Sequence, residues 1–317
     1  EIDLKPAAGL PEISKYLTQL HLCNKHKCGL EQDESSSTTN FRNRLPILIE
    51  SWGNEGALKA PKFHPLPNLK VVSFKLIGDK WKNNHLSVGP RAILQELLNS
   101  APKLEELIIT VNNANPDLEL SSTKLKTLKY NVTFNSKGFF NLPNSVLSQI
   151  LERFANSLEM LELACADLAI QPIFLDSTHL PKLTHLSLRG RYVQEVFKIC
   201  QRPHEGIISL ELSFRACYGQ LDVQAASNNL FPSVTELRLK INSTDFPKIS
   251  KCMGETMGSF GAWALTKGEV IISGGSVGVA QAVLEGVKDW RGLKNTSIRF
   301  NESRNFELTD GVRAALV

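Results

Sequence analysis

The residues that come nearest to a catalytic motif are Gly274, Ser276 and Gly278, which form a Gly-x-Ser-x-Gly pattern between an apolar segment and a helix-like one. In α/β-hydrolases this pattern places a nucleophilic serine on a sharp strand-to-helix turn. Such an enzyme also needs an Asp and then a His after the serine, yet the last histidine here is His204. We therefore expect a glycine-permitted turn, an inert Ser276 and no enzymatic activity. A serine hydrolase is kept only as a remote alternative.

Two other groups of residues have ligand chemistry but an incomplete pattern. The glycines at 274–278 could hold a phosphate at a helix N-terminus, but no Lys-Ser/Thr pair follows and the Gly-x-Gly-x-x-Gly spacing is not met. Cys23, His26 and Cys28 are zinc-ligand types, but no clear fourth ligand or downstream pair accompanies them. The sequence therefore predicts neither a metal nor a cofactor.

Composition narrows the class of partner. The chain is 42% hydrophobic and 21% charged, which predicts a packed fold and not a disordered one. Its 36 Lys and Arg and 32 Asp and Glu are spread without basic blocks, so no nucleic-acid partner is expected. No run approaches the roughly 20 apolar residues of a membrane-spanning helix, so no membrane partner is expected either.

Cysteine usage bears on the compartment. The six cysteines are scattered, which favours a reduced setting in the cytoplasm or nucleus. Four Asn-x-Ser/Thr sequons, at Asn131, Asn242, Asn295 and Asn301, keep secretion open as an alternative.

Seven segments repeat the pattern apolar-x-x-apolar-x-apolar. The anchors are Leu69, Val72, Phe74; Leu104, Leu107, Ile109; Leu125, Leu128, Tyr130; Leu158, Leu161, Leu163; Leu183, Leu186, Leu188; Ile207, Leu210, Leu212; and Val234, Leu237, Leu239. Four first anchors follow a proline by two residues, at Pro67, Pro102, Pro181 and Pro232, where proline would end a helix and set the turn into a strand. First anchors at 104, 125, 158, 183, 207 and 234 are 21, 33, 25, 24 and 27 residues apart. That is the spacing of leucine-rich repeats with two irregular units.

The periods of each unit predict its architecture. The last two anchors alternate as in a strand and point inward, while the residues between them face the other side of the sheet. Segments with helix-like apolar spacing lie at 90–101, 144–157, 193–201 and 247–258. One strand and one helix cannot bury an apolar face alone, so the units must stack. The predicted fold class is α/β: a leucine-rich-repeat solenoid with a curved parallel sheet on its concave side and helices and loops on its convex side.

Both ends of the array are less regular. The whole chain, 1–317, is predicted to be a single solenoid, with an irregular N-terminal repeat and polar insertion over 1–65, regular repeats over 66–245 and irregular C-terminal repeats over 246–317. Near the start, Leu17, Leu20 and Leu22 fit the pattern, and the polar run at 31–40 predicts a flexible insertion. Near the end, the predicted strand pairs are Val270 with Ile272 and Ile298 with Phe300, with a helix-like segment between them.

The segments APKLEELIIT, ANSLEMLEL and LPKLTHLSL resemble the leucine-rich-repeat region of F-box proteins, and the resemblance covers about residues 66–242. It implies a substrate receptor of a cullin-type ubiquitin ligase, in which an F-box binds the Skp adaptor and the repeats bind the target protein. No F-box is recognised in this chain, so the Skp and cullin components are expected to bind through a segment upstream of it. The alternative is an extracellular or immune-type recognition ectodomain.

Outward positions of the central strands carry both charges and few large apolar groups, which indicates a polar docking surface for the target on the concave wall. The predicted partner-binding residues are Lys129, Glu162, His185, Ser187, Arg189, Glu211, Glu236 and Arg238. We expect Arg189 and Arg238 to make bidentate contacts with a partner carboxylate. The other interpretation is a sheet face that merely contacts solvent.

Overall fold

A computed structural model describes residues 16–24, 44–49, 65–76, 88–112, 124–133, 151–165, 177–190, 202–215, 230–242, 247–274, 277–288 and 290–301. The chain divides into two compact units, Glu1–Leu158 and Glu159–Val317. Each unit contains a parallel β-sheet with few helices. The predicted α/β class is therefore confirmed.

Five described strands and one helix form the first unit. They are β1 (Gln19–Asn24), β2 (Arg44–Ile49), β3 (Val71–Leu76), β4 (Glu106–Asn112), β5 (Thr127–Thr133) and α1 (Val88–Ser100). The strands pair in parallel in the order β5, β4, β3, β1, β2. Strand β2 was not predicted, and it lies beside β1 so that strand order departs from chain order there. Helix α1 matches the prediction at 90–101, and residues 151–154 within the predicted segment 144–157 are also helical. The run at 31–40 lies outside the described residues.

Strands of the second unit follow chain order. They are β6 (Met160–Cys165), β7 (His185–Arg189), β8 (Ser209–Arg215), β9 (Glu236–Asn242), β10 (Lys267–Ser273) and β11 (Thr296–Phe300). Each pairs in parallel with the next. Two helices, α2 (Pro247–Ser259) and α3 (Val277–Val287), flank β10 in the chain. The strand pairs and helices predicted near the C-terminus are confirmed, whereas 193–201 lies outside the described residues.

All 21 anchors of the seven repeated segments are buried, and none is more than 4% exposed. The register explains how they pack: Leu186 lies between Leu161 and Leu210 on the neighbouring strands, so inward side chains form continuous lines across the sheet. The predicted strand pair of β11 differs, because Ile298 and Phe300 are only partly buried. The prediction of buried anchors on successive parallel strands is thus confirmed for the regular segments.

Prolines set the entry into four strands through one recurring turn. In each turn the first anchor's N–H donates to the carbonyl three residues earlier. The pairs are Leu69 with Leu66 (3.1 Å), Leu104 with Ala101 (3.2 Å), Leu183 with Leu180 (3.1 Å) and Val234 with Phe231 (3.3 Å). Proline is the second residue of every such turn, where its fixed φ matches the conformation needed. The predicted role of these prolines as turn residues is confirmed.

A second backbone feature fixes the start of seven strands. The carbonyl of Thr184 accepts hydrogen bonds from the N–H groups of both Ile208 (2.9 Å) and Ser209 (3.1 Å). The same double acceptance recurs at Thr18, Lys70, Glu105, Glu159, Ile208 and Thr235. Because one carbonyl holds two consecutive N–H groups of the next strand, the register between neighbours is set before the ladder begins.

Helices α2 and α3 pack together on the apolar side of the second sheet. A Cβ on Gly286 would lie within 2.6 Å of the Gly254 carbonyl oxygen, so the two helix backbones are close. Trp290 donates from Nε1 to the Met257 carbonyl (2.7 Å), and its ring lies beneath the inward-facing Gly268. The opposite face of β10 is therefore not covered by these helices.

Candidate functional site

Outward side chains of the second sheet line up in two rows, which the strand register defines. We call the side of a sheet opposite the buried anchors its outer face. The acidic row consists of Glu162, Ser187, Glu211, Arg238, Glu269 and Ser297. The basic row lies two residues further along each strand and consists of Ala164, Arg189, Ser213, Lys240, Ile271 and Arg299. Apart from Arg238, which lies in the acidic row, charges of opposite sign are thus separated along the strands.

Five charged side chains in these rows form one alternating network. Arg238 lies between Glu211 (3.6 Å) and Glu269 (2.5 Å). Glu211 also contacts Lys240 (2.7 Å), and Glu269 contacts Arg299 (3.5 Å). Both carboxylates are only about one-fifth exposed, at 22% and 21%. Each pair alone contributes about 0–1 kcal/mol of stability, but a shared network restricts all five side chains.

The network repeats one diagonal relation between strands. In each pair the carboxylate lies on one strand, and the cation lies on the next strand, two residues after the residue that is in register with the carboxylate. Glu211 has this relation to Lys240, and Glu269 has it to Arg299. The first unit has the same arrangement between Glu106 on β4 and Lys129 on β5, whose charged atoms are 2.8 Å apart. An exposed ion pair on the rim of that unit, Lys70 with Glu105 (2.9 Å), lowers the pKa of Glu105 chiefly through the hydrogen bond that Lys70 donates.

Glu162 and Arg189 occupy the same diagonal positions on β6 and β7 but make no ion pair with each other. Among the residues that the structure describes, neither has any ion-pair partner. Arg189 is exposed, and its neighbours in the basic row are the small residues Ala164 and Ser213. Its guanidinium is therefore available, whereas that of Arg238 is already shared by two carboxylates.

Strand β7 presents an accessible stretch of this face. Its outward residues His185 and Arg189 are both exposed, with the short Ser187 between them. The side chains beside Arg189 are short on both flanks, because its register partners are Ala164 and Ser213. The longer Met160, Glu162 and Glu211 flank His185 and Ser187. We call His185, Ser187, Arg189, Ala164, Ser209 and Ser213 the β7 trough. On β9, by contrast, the outward residues are the long side chains Glu236, Arg238 and Lys240.

All eight predicted partner-binding residues lie on outer faces, but the structure separates them. Lys129 belongs to the first unit, where it is paired with Glu106. The other seven belong to the second unit, where Glu211 and Arg238 are joined by the network. Arg189 and Arg238 were expected to act alike, and their surroundings differ. Whether any of the eight contacts a partner stays a prediction.

Sequence reasoning missed two members of the network and one buried histidine. Glu269 and Arg299 lie on strands that were recognised only by their apolar pairs. Extending the alternation to outward positions there would have identified both. His204 is fully buried, with Nε2 3.1 Å from the Leu180 carbonyl oxygen and Nδ1 accepting from the Gly206 N–H (3.2 Å). Its signal was its position three residues before the first anchor Ile207, where neighbouring repeats have apolar residues.

The structure describes only part of the Gly-x-Ser-x-Gly segment and of the group Cys23, His26 and Cys28. Gly274 adopts φ 76° between β10 and α3, so the glycine-permitted strand-to-helix turn is confirmed. Ser276, His26 and Cys28 lie outside the described residues. Across the described ranges, no three His, Cys, Asp or Glu side chains gather as metal ligands. Nor is any helix in those ranges long and apolar enough to cross a membrane.

No family model, curated protein or solved structure matches this chain. Function is therefore inferred from the sequence, the sheets and their outer faces alone.

Proposed function

We propose that this chain is a leucine-rich-repeat scaffold that binds another protein through the outer face of its parallel sheet. The observation that carries the proposal is the alternation along the strands, in which buried anchors alternate with mostly polar outward residues in register from β6 to β10. Stacked repeats of this kind present a rigid row of side chains at strand spacing, about 4.8 Å apart.

The composition of the outer face supports protein binding. Its outward residues mix both charges with serines and few large apolar groups, as in the rims and polar parts of non-obligate interfaces. Helices α2 and α3 pack on the apolar side of the sheet. Their exposed residues are separated by turns of helix and do not form a continuous row like that of the outer face. The outer face is therefore favoured over the helices as the docking surface.

The specific role that the sequence resemblance favours is a substrate receptor of an F-box-type ubiquitin ligase. In that role the outer face would hold the target, and Skp and cullin components would bind through another segment of the protein. Only the likeness of the repeated segments supports this step, so co-purification of Skp and cullin subunits with the full-length protein is its direct test.

A second candidate, an extracellular recognition ectodomain, is supported by the placement of the sequons. Asn242, Asn295 and Asn301 are exposed in or near strand ends of the second unit. Asn131 is less accessible than these three, because it is only partly exposed and its Oδ1 is buried on β5. A glycosidase-sensitive mobility shift of the protein expressed with its natural N-terminus would favour this candidate, and co-purified ligase subunits would contradict it.

The docking surface itself is tested with two matched triple variants. One carries Glu162→Ala, Arg189→Ala and Arg238→Ala on the outer face. The control carries Lys251→Ala and Glu255→Ala on the exposed side of α2 and Lys288→Ala directly after α3. Both sets should change stability by only about 0.5 kcal/mol per residue, which circular dichroism melts will check.

Quantitative affinity purification then compares the partners that each variant retains. We expect the outer-face variant to bind them at least about thirtyfold more weakly, because truncated hot spots cost about 2 kcal/mol or more of binding free energy. The control should keep them. Loss with the control and retention with the outer-face variant would show that the wrong surface has been chosen.

A further inference from the structure

We propose that a partner protein docks along strand β7, where an extended segment bearing a carboxylate side chain lies in the β7 trough and binds Arg189. This inference rests on the proposed function of the outer face and narrows it to one strand and one chemistry. It also separates the two arginines that were expected to act together.

The charges of the outer face single out Arg189. In the basic row, Lys240 and Arg299 are each neutralised by a carboxylate of the acidic row. The corresponding Glu162 does not reach Arg189, although the diagonal relation is the same. An exposed guanidinium offers five N–H donors in a planar fork that fits a carboxylate through two parallel hydrogen bonds. A partner carboxylate would thus complete at β7 the charge pairing that the protein makes for itself at β9 and β11.

Arg238 is a poorer receptor for the same group. Its guanidinium already contacts Glu211 and Glu269, and it is 45% exposed. A third carboxylate would have to displace one of these and would then face the repulsion of both. We therefore assign Arg238 to holding the side chains of β8 to β10 in place, and Arg189 to recognition.

The shape of the surface supports the same position. Ala164, Ser187 and Ser213 are short, which leaves room for main chain around Arg189, whereas Met160, Glu162 and Glu211 flank the earlier part of β7. An extended segment running along β7 projects every second side chain about 6.6–6.8 Å apart, which matches the spacing from Ser187 to Arg189. Its carboxylate would lie at Arg189, and a polar residue two positions away would lie at Ser187. Glu162 on the flanking strand disfavours a second carboxylate on that side.

The test selects ligands without assuming a partner. A phage-displayed library of random dodecapeptides is panned against the full chain, and the enriched peptides are synthesised with a fluorescent label for anisotropy titrations. We expect enriched peptides to share one Asp or Glu at a fixed position. Arg189→Ala should weaken their binding by about thirtyfold, the loss typical of a hot spot, and Arg189→Glu should select Lys or Arg at that position instead.

The matched control is Arg291→Ala, which removes an exposed arginine of the same unit that lies outside the outer face. Selection of basic or purely apolar peptides, binding that Arg291→Ala weakens as much as Arg189→Ala does, or failure to enrich any peptide would overturn the inference. These outcomes differ from failure of the proposed function. If the outer-face triple variant loses its natural partners while the single Arg189→Ala variant keeps them, the docking face stands and the assignment to β7 falls.

Discussion

Replacing the buried His204 by leucine tests how neighbouring repeats are held together. The imidazole links two of them, because Nε2 donates to the Leu180 carbonyl while Nδ1 accepts from the Gly206 N–H. With Nδ1 acting as an acceptor, the ring is neutral and carries its proton on Nε2. Leucine is the natural comparison, since Leu180 occupies the corresponding position, three residues before the first anchor, in the preceding repeat.

The expected loss has two parts: leucine would leave the Gly206 N–H without its partner, and the Leu180 carbonyl would keep the Leu183 N–H but lose a second hydrogen bond of about 1 kcal/mol. An unsatisfied buried donor or acceptor costs about 1–3 kcal/mol. Removing a buried imidazole and adding apolar contacts returns part of that cost, of the order of 2 kcal/mol for a full leucine side chain. We therefore expect His204→Leu to lower the free energy of unfolding by about 2 kcal/mol. For a unit of this size the melting temperature should fall by about 4–8 °C.

Urea unfolding followed by circular dichroism measures the loss. Hydrogen exchange of the segment 202–215 locates it, because the amides of Gly206 and of β8 should exchange faster. His179→Leu is the control: this histidine is exposed, so its replacement should change stability by no more than about 0.5 kcal/mol. If His204→Leu is as stable as the unchanged protein, the two hydrogen bonds of His204 contribute no more to the free energy of unfolding than an apolar side chain does at this position.

Two further predictions concern a helix crossing and a surface ion pair. Gly286→Ala should destabilise the second unit by about 1–3 kcal/mol in thermal melts, because a methyl group there would collide with α2, whereas Gly258→Ala meets open space and should be neutral or stabilising by up to about 1 kcal/mol. Lys70→Met should raise the pKa of Glu105 toward its usual 4.5 in an NMR titration. A lowered pKa of Glu105 in the folded state stabilises the protein above about pH 4.5. The difference in unfolding free energy between the unchanged protein and Lys70→Met should therefore shrink as the pH falls below that value. An unchanged Glu105 titration would show that the Lys70 contact does not persist in solution.

The buried side of the fold could be predicted from the sequence because strand periodicity and burial coincide there. Leu186 and Leu188 alternate with polar residues, and burying them is a strong enough preference to fix which face is inward. Strand β2 could not be predicted in this way. It contains Pro46, which is unusual within a strand, and its apolar residues do not follow the repeated pattern.

The pairing of charges on the outer face lay beyond sequence reasoning for a different reason. Glu162 with Arg189 and Glu211 with Lys240 have identical register relations, yet only the second pair is formed. Surface ion pairs differ from open arrangements by about 1 kcal/mol or less, so side-chain conformation and neighbouring charges decide between them. The sequence could place the candidates on the face but could not show which of them are already occupied.

The carbonyl that accepts two N–H groups at the start of seven strands limits where such a chain can change its length. A one-residue insertion between Thr184 and His185 would separate the two N–H groups that the Glu159 carbonyl accepts from and would turn Leu186 and Leu188 to the opposite face. The segments between strands face no such constraint, since first anchors are 21 to 33 residues apart while the turn and strand that follow stay the same. Related sequences should therefore gain and lose residues only in the segments between one turn-and-strand unit and the next. Duplication of one such unit with its connecting segment should add a strand without disturbing its neighbours.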